Sequence, residues 1–272
     1  TQMYAQGLTP NPCVECNRSV KFDHFINQAK KLNCDKVATG HYAKIIKKND
    51  KYELHKADYL DKDQSYVLHM LQSSDLENIT FPLGEISKPE VRQIAARIGL
   101  RTAFKKDSQD ICFVGKKDYR SFVEKRIDLT SPGEIFDTKG NKVGDHNGIH
   151  EFTIGQRKGL PGGYGTPRYV TKINVQNKNV TIGEKNDLLV SSFIVEELSC
   201  INDLEYKNLT IQTRYNSEDL PCEIKKLSDT EVLVQLKEPA FSIAPGQFGV
   251  IYNGTKIVCG GRISSKVLEN VE

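Results

Sequence analysis

Apolar residues recur at helical spacing near the start of the chain. Phe22, Phe25, Ile26, Ala29 and Leu32 predict an amphipathic helix over residues 23–33. The run Asp35-Lys36-Val37-Ala38-Thr39-Gly40-His41-Tyr42 predicts a short strand that ends in a glycine turn. Residues 44–56 predict a hairpin turning at Asn49-Asp50, and residues 65–71 a helical segment. Ser87-Lys88-Pro89-Glu90 is a capping box; it opens a helix whose apolar stripe is Val91, Ile94, Ala95 and Ile98 and which Gly99 closes. A further helix is predicted over residues 118–127, with Tyr119, Phe122 and Val123 on one side.

From Pro132 onward Gly, Asn and Asp punctuate short β-like runs at 133–136, 151–154, 169–175 and 180–182. Around Ser191 a third segment begins, with strands predicted over 193–201, 209–214, 232–236 and 250–259. Val232, Val234 and Leu236 alternate as a half-buried strand requires, and Asn253-Gly254 between apolar runs signals a hairpin. Closely spaced antiparallel strands suggest one or two small barrels. The expected fold is therefore α/β followed by β, in three parts: 1–117, 118–188 and 189–272. In open α/β sheets ligands bind beyond the carboxyl ends of the strands, which makes Gly40 and His41 candidates for a site.

Composition narrows the class. At 272 residues the chain exceeds one average domain. Its apolar runs fall far short of the ~20 residues of a bilayer span, no secretory signal opens it, and a cytoplasmic protein without a membrane partner is expected. The first residue is Thr1, so the start reads as an interior point of a longer protein. Net charge is +3, compatible with a nucleic-acid partner but weaker than the usual basic footprint. Basic clusters at Lys44, Lys47 and Lys48, at Lys105 and Lys106, at Lys116 and Lys117, and at Arg157 and Lys158 say more, although each alone is an ordinary solvated face. Seven cysteines without an export signal argue against a disulfide framework and for reduced thiols that do chemistry or bind metal.

Three stretches carry candidate chemistry. Thr9-Pro10-Asn11-Pro12-Cys13-Val14-Glu15-Cys16-Asn17 sets two cysteines three apart before a helix, where the helix end favours a thiolate. Lys105-Lys106-Asp107-Ser108-Gln109-Asp110-Ile111-Cys112-Phe113 places a thiol behind two lysines. Asp61-Lys62-Asp63-Gln64-Ser65 is a dense polar stretch. Each has a bland counterpart: one Cys-x-x-Cys is a modest zinc signal, and His41 could simply cap a strand. Cys34, Cys200, Cys222 and Cys259 read as small buried hydrophobes.

The joint order of motifs is more specific than any one of them. Thr-Pro-Asn-Pro-x-x-x-Cys-Asn, Ala-Thr-Gly-His-Tyr, Lys-Asp-Gln-Ser-Tyr and Asp-Ser-x-x-Ile-Cys-Phe come in turn. They are followed by Thr153-Ile154-Gly155-Gln156-Arg157-Lys158-Gly159-Leu160, Pro245-Gly246-Gln247 and Cys259-Gly260-Gly261. Over nearly its whole length the chain resembles the tRNA-specific 2-thiouridylase (MnmA/TrmU) family. The resemblance implies the C-terminal portion of a Rossmann-like PP-loop ATP-pyrophosphatase domain over 1–117, followed by a small central domain with β-strands and a C-terminal tRNA-contacting barrel.

Members of that family replace the C2 oxygen of the wobble uridine, position 34 of the tRNA, with sulfur. ATP with Mg2+ adenylates the oxygen, a persulfide attacks C2, and AMP leaves. Carried over by motif, Cys112 receives the persulfide sulfur, and Cys16 resolves it and pairs with Cys112 in a disulfide. Gly40 is an ATP contact; Asn11, Pro12 and Cys13 touch the target base; His41, Lys62, Asp63, Gln64, Arg214, Tyr215 and Gln247 contact tRNA. The implied partners are tRNA and a sulfur donor, either a cysteine desulfurase or a sulfur-relay protein. Two departures stand out. The Ser-Gly-Gly-x-Asp-Ser phosphate loop that opens family members is absent, so this chain alone is expected to bind ATP poorly and not to turn over. Cys13 stands where many relatives carry aspartate; with Cys16 and Cys112 it makes three thiols that could equally hold a [4Fe–4S] cluster with one open iron. Two other classes remain open at this point: a non-catalytic zinc-stabilised RNA-binding module, and an ATP-pyrophosphatase-superfamily synthetase acting on a small molecule.

Overall fold

In a computed structural model of the chain, the described residues are 2–105, 112, 114, 119–126, 131–201 and 207–265. The chain opens with α1 (Gln2–Ala5) and reaches α2 (Pro12–Glu15), which runs through a π-helical stretch, Cys16–Asp23, into α3 (His24–Lys31). This continuous helix starts some eleven residues before the predicted one, because Pro12 fits a first helical turn and the Asn11 side chain accepts from Cys13 N at 3.2 Å. Val14, Phe22 and Ile26 are its buried stripe, whereas Phe25 and Leu32 stay exposed.

β1 (Val37–Ala38) follows, then the hairpin of β2 (Ala43–Lys48) and β3 (Lys51–Lys56). Asn49 and Asp50 both have positive φ, as a two-residue turn matched to strand twist requires. Residues Ser65–Leu68 form a 3-10 turn instead of the expected α-helix, and all four are buried. After α4 (Ser73–Leu76), β4 (Ile79–Thr80) pairs parallel to β1, Val37 opposite Ile79. The capping box at Ser87 forms and starts α5 (Lys88–Arg97). The predicted stripe of α5 is not a core face: the helix has no buried residue, and Ile98 is 65% exposed. α6 (Tyr119–Glu124) lies within the helix predicted over 118–127.

The central unit is a four-stranded sheet of β5 (Gly133–Asp137), β6 (Lys142–His146), β7 (Tyr169–Asn174) and β8 (Asn179–Gly183), in the order β6-β5-β8-β7. β5 and β8 run parallel and the other pairs antiparallel. The run 151–154 is not a strand; Ile149–Glu151 is a 3-10 turn, and Ile149 and Phe152 plug this unit's core. The last unit is a closed six-stranded antiparallel barrel of β9 (Leu189–Cys200), β10 (Leu209–Gln212), β11 (Leu220–Lys226), β12 (Glu231–Phe241), β13 (Phe248–Asn253) and β14 (Lys256–Ile263). Around the barrel the order is β9-β12-β11-β10-β13-β14 and back to β9, which leaves no free edge. Val195, Ile211, Val232, Val234, Ile251 and Val258 fill it.

The barrel is fastened to the α/β part. Tyr66 donates its hydroxyl to Phe248 O at 2.9 Å, and the His69 ring lies 5.0 Å from Phe248. Lys56 Nζ sits 2.6 Å from Asp219 and 4.2 Å from the Tyr252 ring. Among the described residues no helix is long and apolar enough to cross a membrane.

Candidate functional site

The continuous helix delivers Cys13 and Cys16 to the start of its first turns, and the π winding begins at Cys16. All seven cysteines are free thiols; Cys13 and Cys112 are exposed and Cys16 is partly so. Cys13, Cys16 and Cys112 converge, although Cys112 is about a hundred residues away in sequence. Cys13 keeps one side open to solvent, yet the protein packed around it desolvates the thiol and raises its pKa most; negative charge on Cys112 and then on Cys16 raises it further, while the Lys21 ammonium opposes. Such coupling falls off steeply with distance, so these four groups share one neighbourhood. The helix end was expected to favour a thiolate at this motif; at Cys13 burial and the two neighbouring thiols outweigh it, and Cys13 keeps its proton. Residues 106–111, which hold the second lysine thought to favour the Cys112 anion, lie outside the described residues, as do Lys116 and Lys117.

Lys21 also lines a cavity of about 350 Å3, with Phe25, Thr39, Gly40, His41 and Gln64. The cavity opens where β1 ends, the place where a parallel sheet offers ligand space. Lys21 therefore belongs to both the thiol cluster and the cavity. His41 is buried, its Nδ1 2.8 Å from Thr39 Oγ1 and its ring tilted against Phe22 and edge-on to Phe81. Burial first, and Lys21 second, push its pKa down to about 4, so at neutral pH it is an uncharged hydrogen-bonding group. Any positive charge in the cavity comes from Lys21.

The polar stretch after Leu60 is partly used up inside the protein. Asp63 accepts from Ala57 N at 2.8 Å and from Ser65 Oγ at 2.6 Å, and burial raises its pKa against those bonds. Gln64 Oε1 accepts from Tyr42 N at 3.1 Å and still faces the cavity; Lys62 is half-buried. Arg214 and Tyr215 are exposed just after β10, the Tyr215 ring 6.3 Å from that of Tyr66. Gln247 does something its motif does not suggest: its Nε2 donates to Thr9 O at 3.0 Å, while Thr9 N donates to Pro245 O at 3.0 Å. Between them Gly246, at φ +89, leaves no room for a side chain against Leu8 and Thr9. The barrel thus grips the chain two residues ahead of Asn11 and Pro12, and so steadies the loop that carries Cys13 and Cys16.

Lys21, Thr39 and Phe25 are the cavity residues that sequence reasoning did not select. The signal was there for Lys21, which follows the Cys-Asn motif by about one turn of helix. Cys34 and Cys200 were read as buried packing but are exposed, Cys34 in the turn after α3 and Cys200 at the last position of β9; Cys222 and Cys259 are buried. Among the described residues, the one group whose ligand atoms all lie within 4.8 Å of each other is Glu124, His150 and Glu151, in and beside the central unit. Among the described residues Cys13 and Cys16 belong to no such group.

Comparison with known proteins agrees along the whole chain. Residues 1–116 match the tRNA methyl transferase HUP domain, residues 120–184 the tRNA methyl transferase PRC-barrel domain, and residues 190–263 the aminomethyltransferase beta-barrel domain. The tRNA-specific 2-thiouridylase MnmA of Chloroflexus aurantiacus is 42% identical over 268 residues, which are 96% of this chain and 74% of that protein. Its counterpart in Rickettsia prowazekii is 40% identical over 97% of this chain and 75% of its own length. That of Geobacter metallireducens is 39% identical over 98% and 73%.

Proposed function

From the chain's membership of the tRNA-specific 2-thiouridylase family, shown by 42% identity over 96% of its length, we propose that it carries out ATP-dependent 2-thiolation of the wobble uridine of tRNA. The observation that carries this reading is the gathering of Cys13, Cys16 and Cys112 around Lys21, which also lines the Gly40–His41 cavity. Two of the matched domains are described by methyl transfer. A cluster of three thiols suits sulfur transfer better, because a thiolate or persulfide is a soft nucleophile for an activated carbon.

The residues divide the work as follows. The cavity takes the nucleotide, with Gly40 letting it approach the backbone and Lys21 supplying positive charge to its phosphates, Mg2+ accompanying them. The uridine C2 oxygen attacks the α-phosphorus and pyrophosphate leaves, which turns that oxygen into a leaving group. The outer sulfur of a persulfide on Cys112 adds to C2, and AMP departs. Cys16 thiolate then attacks the inner sulfur of Cys112; the S–S bond to the base breaks, the C2 thiocarbonyl is released, and a Cys16–Cys112 disulfide remains for a thiol reductant to reopen. Cys13, holding its proton, adds no negative charge against these thiolates.

The target base must leave its stack, which costs least in an anticodon loop that is already partly single-stranded. Asn11, Pro12 and Cys13 receive it. Lys62, Arg214 and Tyr215 meet the backbone and neighbouring bases; His41 and Gln64 contribute as neutral hydrogen-bonding groups, and Asp63 and Gln247 by holding the surrounding loops. Sulfur reaches Cys112 from a cysteine desulfurase or a sulfur-relay protein, in the cytoplasm.

A second reading uses the same thiols as ligands of a [4Fe–4S] cluster, which would offer an open iron to a sulfide. Its donor set is suitable, three thiols that share one neighbourhood and that would each give up a proton on binding iron. Iron and visible absorbance in anaerobically prepared protein would support the cluster; their absence would remove it.

The test supplies ATP, magnesium, a sulfur donor and unmodified tRNA, and looks for 2-thiouridine in digested nucleosides by mass spectrometry. It is run with the chain and with the chain extended by the phosphate-loop segment of a relative. Product that vanishes in both Cys16→Ser and Cys112→Ser is expected. Product that survives either substitution, or no product from the extended protein, would overturn the proposal.

A further inference from the structure

The barrel holds a second pair of thiols, far from the first in sequence and in another domain. Cys200 ends β9 and Cys259 lies in β14, and the two are directly opposed partners in the antiparallel pairing of these strands. Opposed residues have Cα atoms about 4.5–5.5 Å apart, inside the range of about 4.4–6.8 Å that a disulfide spans. Side chains of opposed residues also point to the same face of the sheet, so the bridge needs no strand to shift register. The two thiols differ in a way that suits sequential chemistry. Cys200 is exposed, whereas Cys259 is fully buried.

We propose that Cys200 and Cys259 are a redox-active pair, separate from the thiols of the candidate site, that a hydroperoxide closes into a cross-strand disulfide. The hydrogen bond that Cys200 receives from the Cys259 thiol lowers its pKa, more than burial raises it, and Lys226 lowers it further. The same hydrogen bond, with burial, holds Cys259 as a protonated thiol. Cys200 is therefore the member that attacks. Its thiolate takes the terminal oxygen of the hydroperoxide; the O–O bond breaks and the alkoxide leaves as an alcohol, or as water from hydrogen peroxide. Cys200 is now a sulfenic acid. The Cys259 sulfur attacks the Cys200 sulfur, the S–O bond breaks, and the hydroxide leaves as water with the Cys259 proton. Two thiols have given two electrons to one peroxide. A nearby third thiol, Cys222, is buried and has its pKa pushed up to about 12, first by burial, so it does not compete for the oxidant.

The pair also has a place in the architecture. Cys259 precedes Gly260, whose Cα leaves no space for a side chain against the His69 ring, and Ser199, beside Cys200, is 3.5 Å from Gln72 Nε2. The bridge would fasten β9 to β14 where the barrel meets the α/β part. This inference does not depend on the thiolase reading, because it uses none of that site's residues.

The experiment treats the reduced full chain with one equivalent of hydrogen peroxide, alkylates the remaining thiols and digests without reductant. Mass spectrometry is expected to find a peptide joining Cys200 to Cys259, reversible by a dithiol. In Cys200→Ser the linked peptide is absent and Cys259 is recovered as an alkylated thiol. In Cys259→Ala, Cys200 accumulates as sulfenic acid. The wild-type map and the exposed Cys200→Ser variant decide the matter even if Cys259→Ala folds poorly. Recovery of Cys200 and Cys259 as two separate alkylated thiols, or oxidation of Cys200 without the link while Cys259 stays reduced, would refute the proposal.

Discussion

Replacing Gly246 with alanine would test how firmly the barrel holds the cysteine-bearing loop. The residue sits at φ +89, where a side chain is strained, and a Cβ there would lie 2.8 Å from Leu8 Cβ and 2.8 Å from Thr9 N. The left-handed backbone costs a non-glycine residue ~1–2 kcal/mol. The contacts are with backbone and a Cβ, which cannot swing aside, so overpacking adds ~1–3 kcal/mol. Together these put the loss at ~2–5 kcal/mol, partly relieved if residues 8 and 9 move away. Such relief would break the bonds of Thr9 to Pro245 and Gln247 and shift the loop toward Cys13 and Cys16. Urea unfolding read by tyrosine fluorescence, in a chain with eleven tyrosines and no tryptophan, reports the first effect. Thiolation kinetics report the second: kcat should fall by tenfold or more, since a displacement of ~1 Å near reacting groups can cost a factor of ~100. Gln247→Ala, which removes one hydrogen bond and adds no clash, should lose only ~1 kcal/mol. If Gly246→Ala unfolds within ~0.5 kcal/mol of the parent and keeps its kcat, the barrel does not position the loop.

Three further outcomes follow from the same contacts. Lys56→Met removes the buried ammonium between Asp219 and the Tyr252 ring; because Asp219 is 38% exposed and water screens it, the loss in urea stability should be ~2 kcal/mol, below that of a fully buried pair, and no loss would show the pair to be ornamental. His41 and His69 are held by burial at pKa values of about 4 against 6.5 unfolded. The unfolded chain thus takes up protons first as pH falls: stability is full above about 6.5 and drains away toward 4, by ~3 kcal/mol for fully buried His69, and a flat urea midpoint between neutral pH and about 4.5 would contradict that burial. Lys21→Gln should weaken ATP binding by the extended protein about tenfold or more, as loss of a charged hydrogen bond does, while leaving the urea midpoint in place; unchanged affinity would move the phosphates elsewhere.

Local chemistry was legible in the sequence, and tertiary assembly was not. Asn49-Asp50 and the Ser87 capping box declare their turns because a positive φ and an orphan amide each demand particular residues. The barrel strands with clean alternation, such as β12, were also readable. β11 was missed because Pro221 and the charges of Glu223, Lys225 and Lys226 mask its alternation, and β6 because Lys142-Val143-Gly144-Asp145-His146 offers one aliphatic residue. The hairpin of β13 and β14 turns at Gly254-Thr255, one residue later than Asn253-Gly254 suggested. In α5 the stripe is real in sequence yet only half used, Val91 and Ala95 being half-buried and Ile94 and Ile98 exposed, since periodicity reports only what a helix offers for burial. For the site, motif order pointed to Cys13, Cys16 and Cys112, but their coupling through space, the neutral state of His41 and the double role of Lys21 depend on packing. So does the grip of Gln247 on Thr9, which joins positions more than two hundred residues apart.

The most direct measurement follows one sulfur atom. Cys112 of the extended protein is loaded by a cysteine desulfurase, freed of excess donor, and given ATP and unmodified tRNA for a single turnover. The account predicts that the peptide containing Cys112 first gains the mass of one sulfur, then loses it as an equal amount of 2-thiouridine appears, and that Cys16 and Cys112 are afterwards joined by a disulfide. Thiolated tRNA formed while the sulfur stays on Cys112, or in protein whose Cys112 never carried it, would contradict the account.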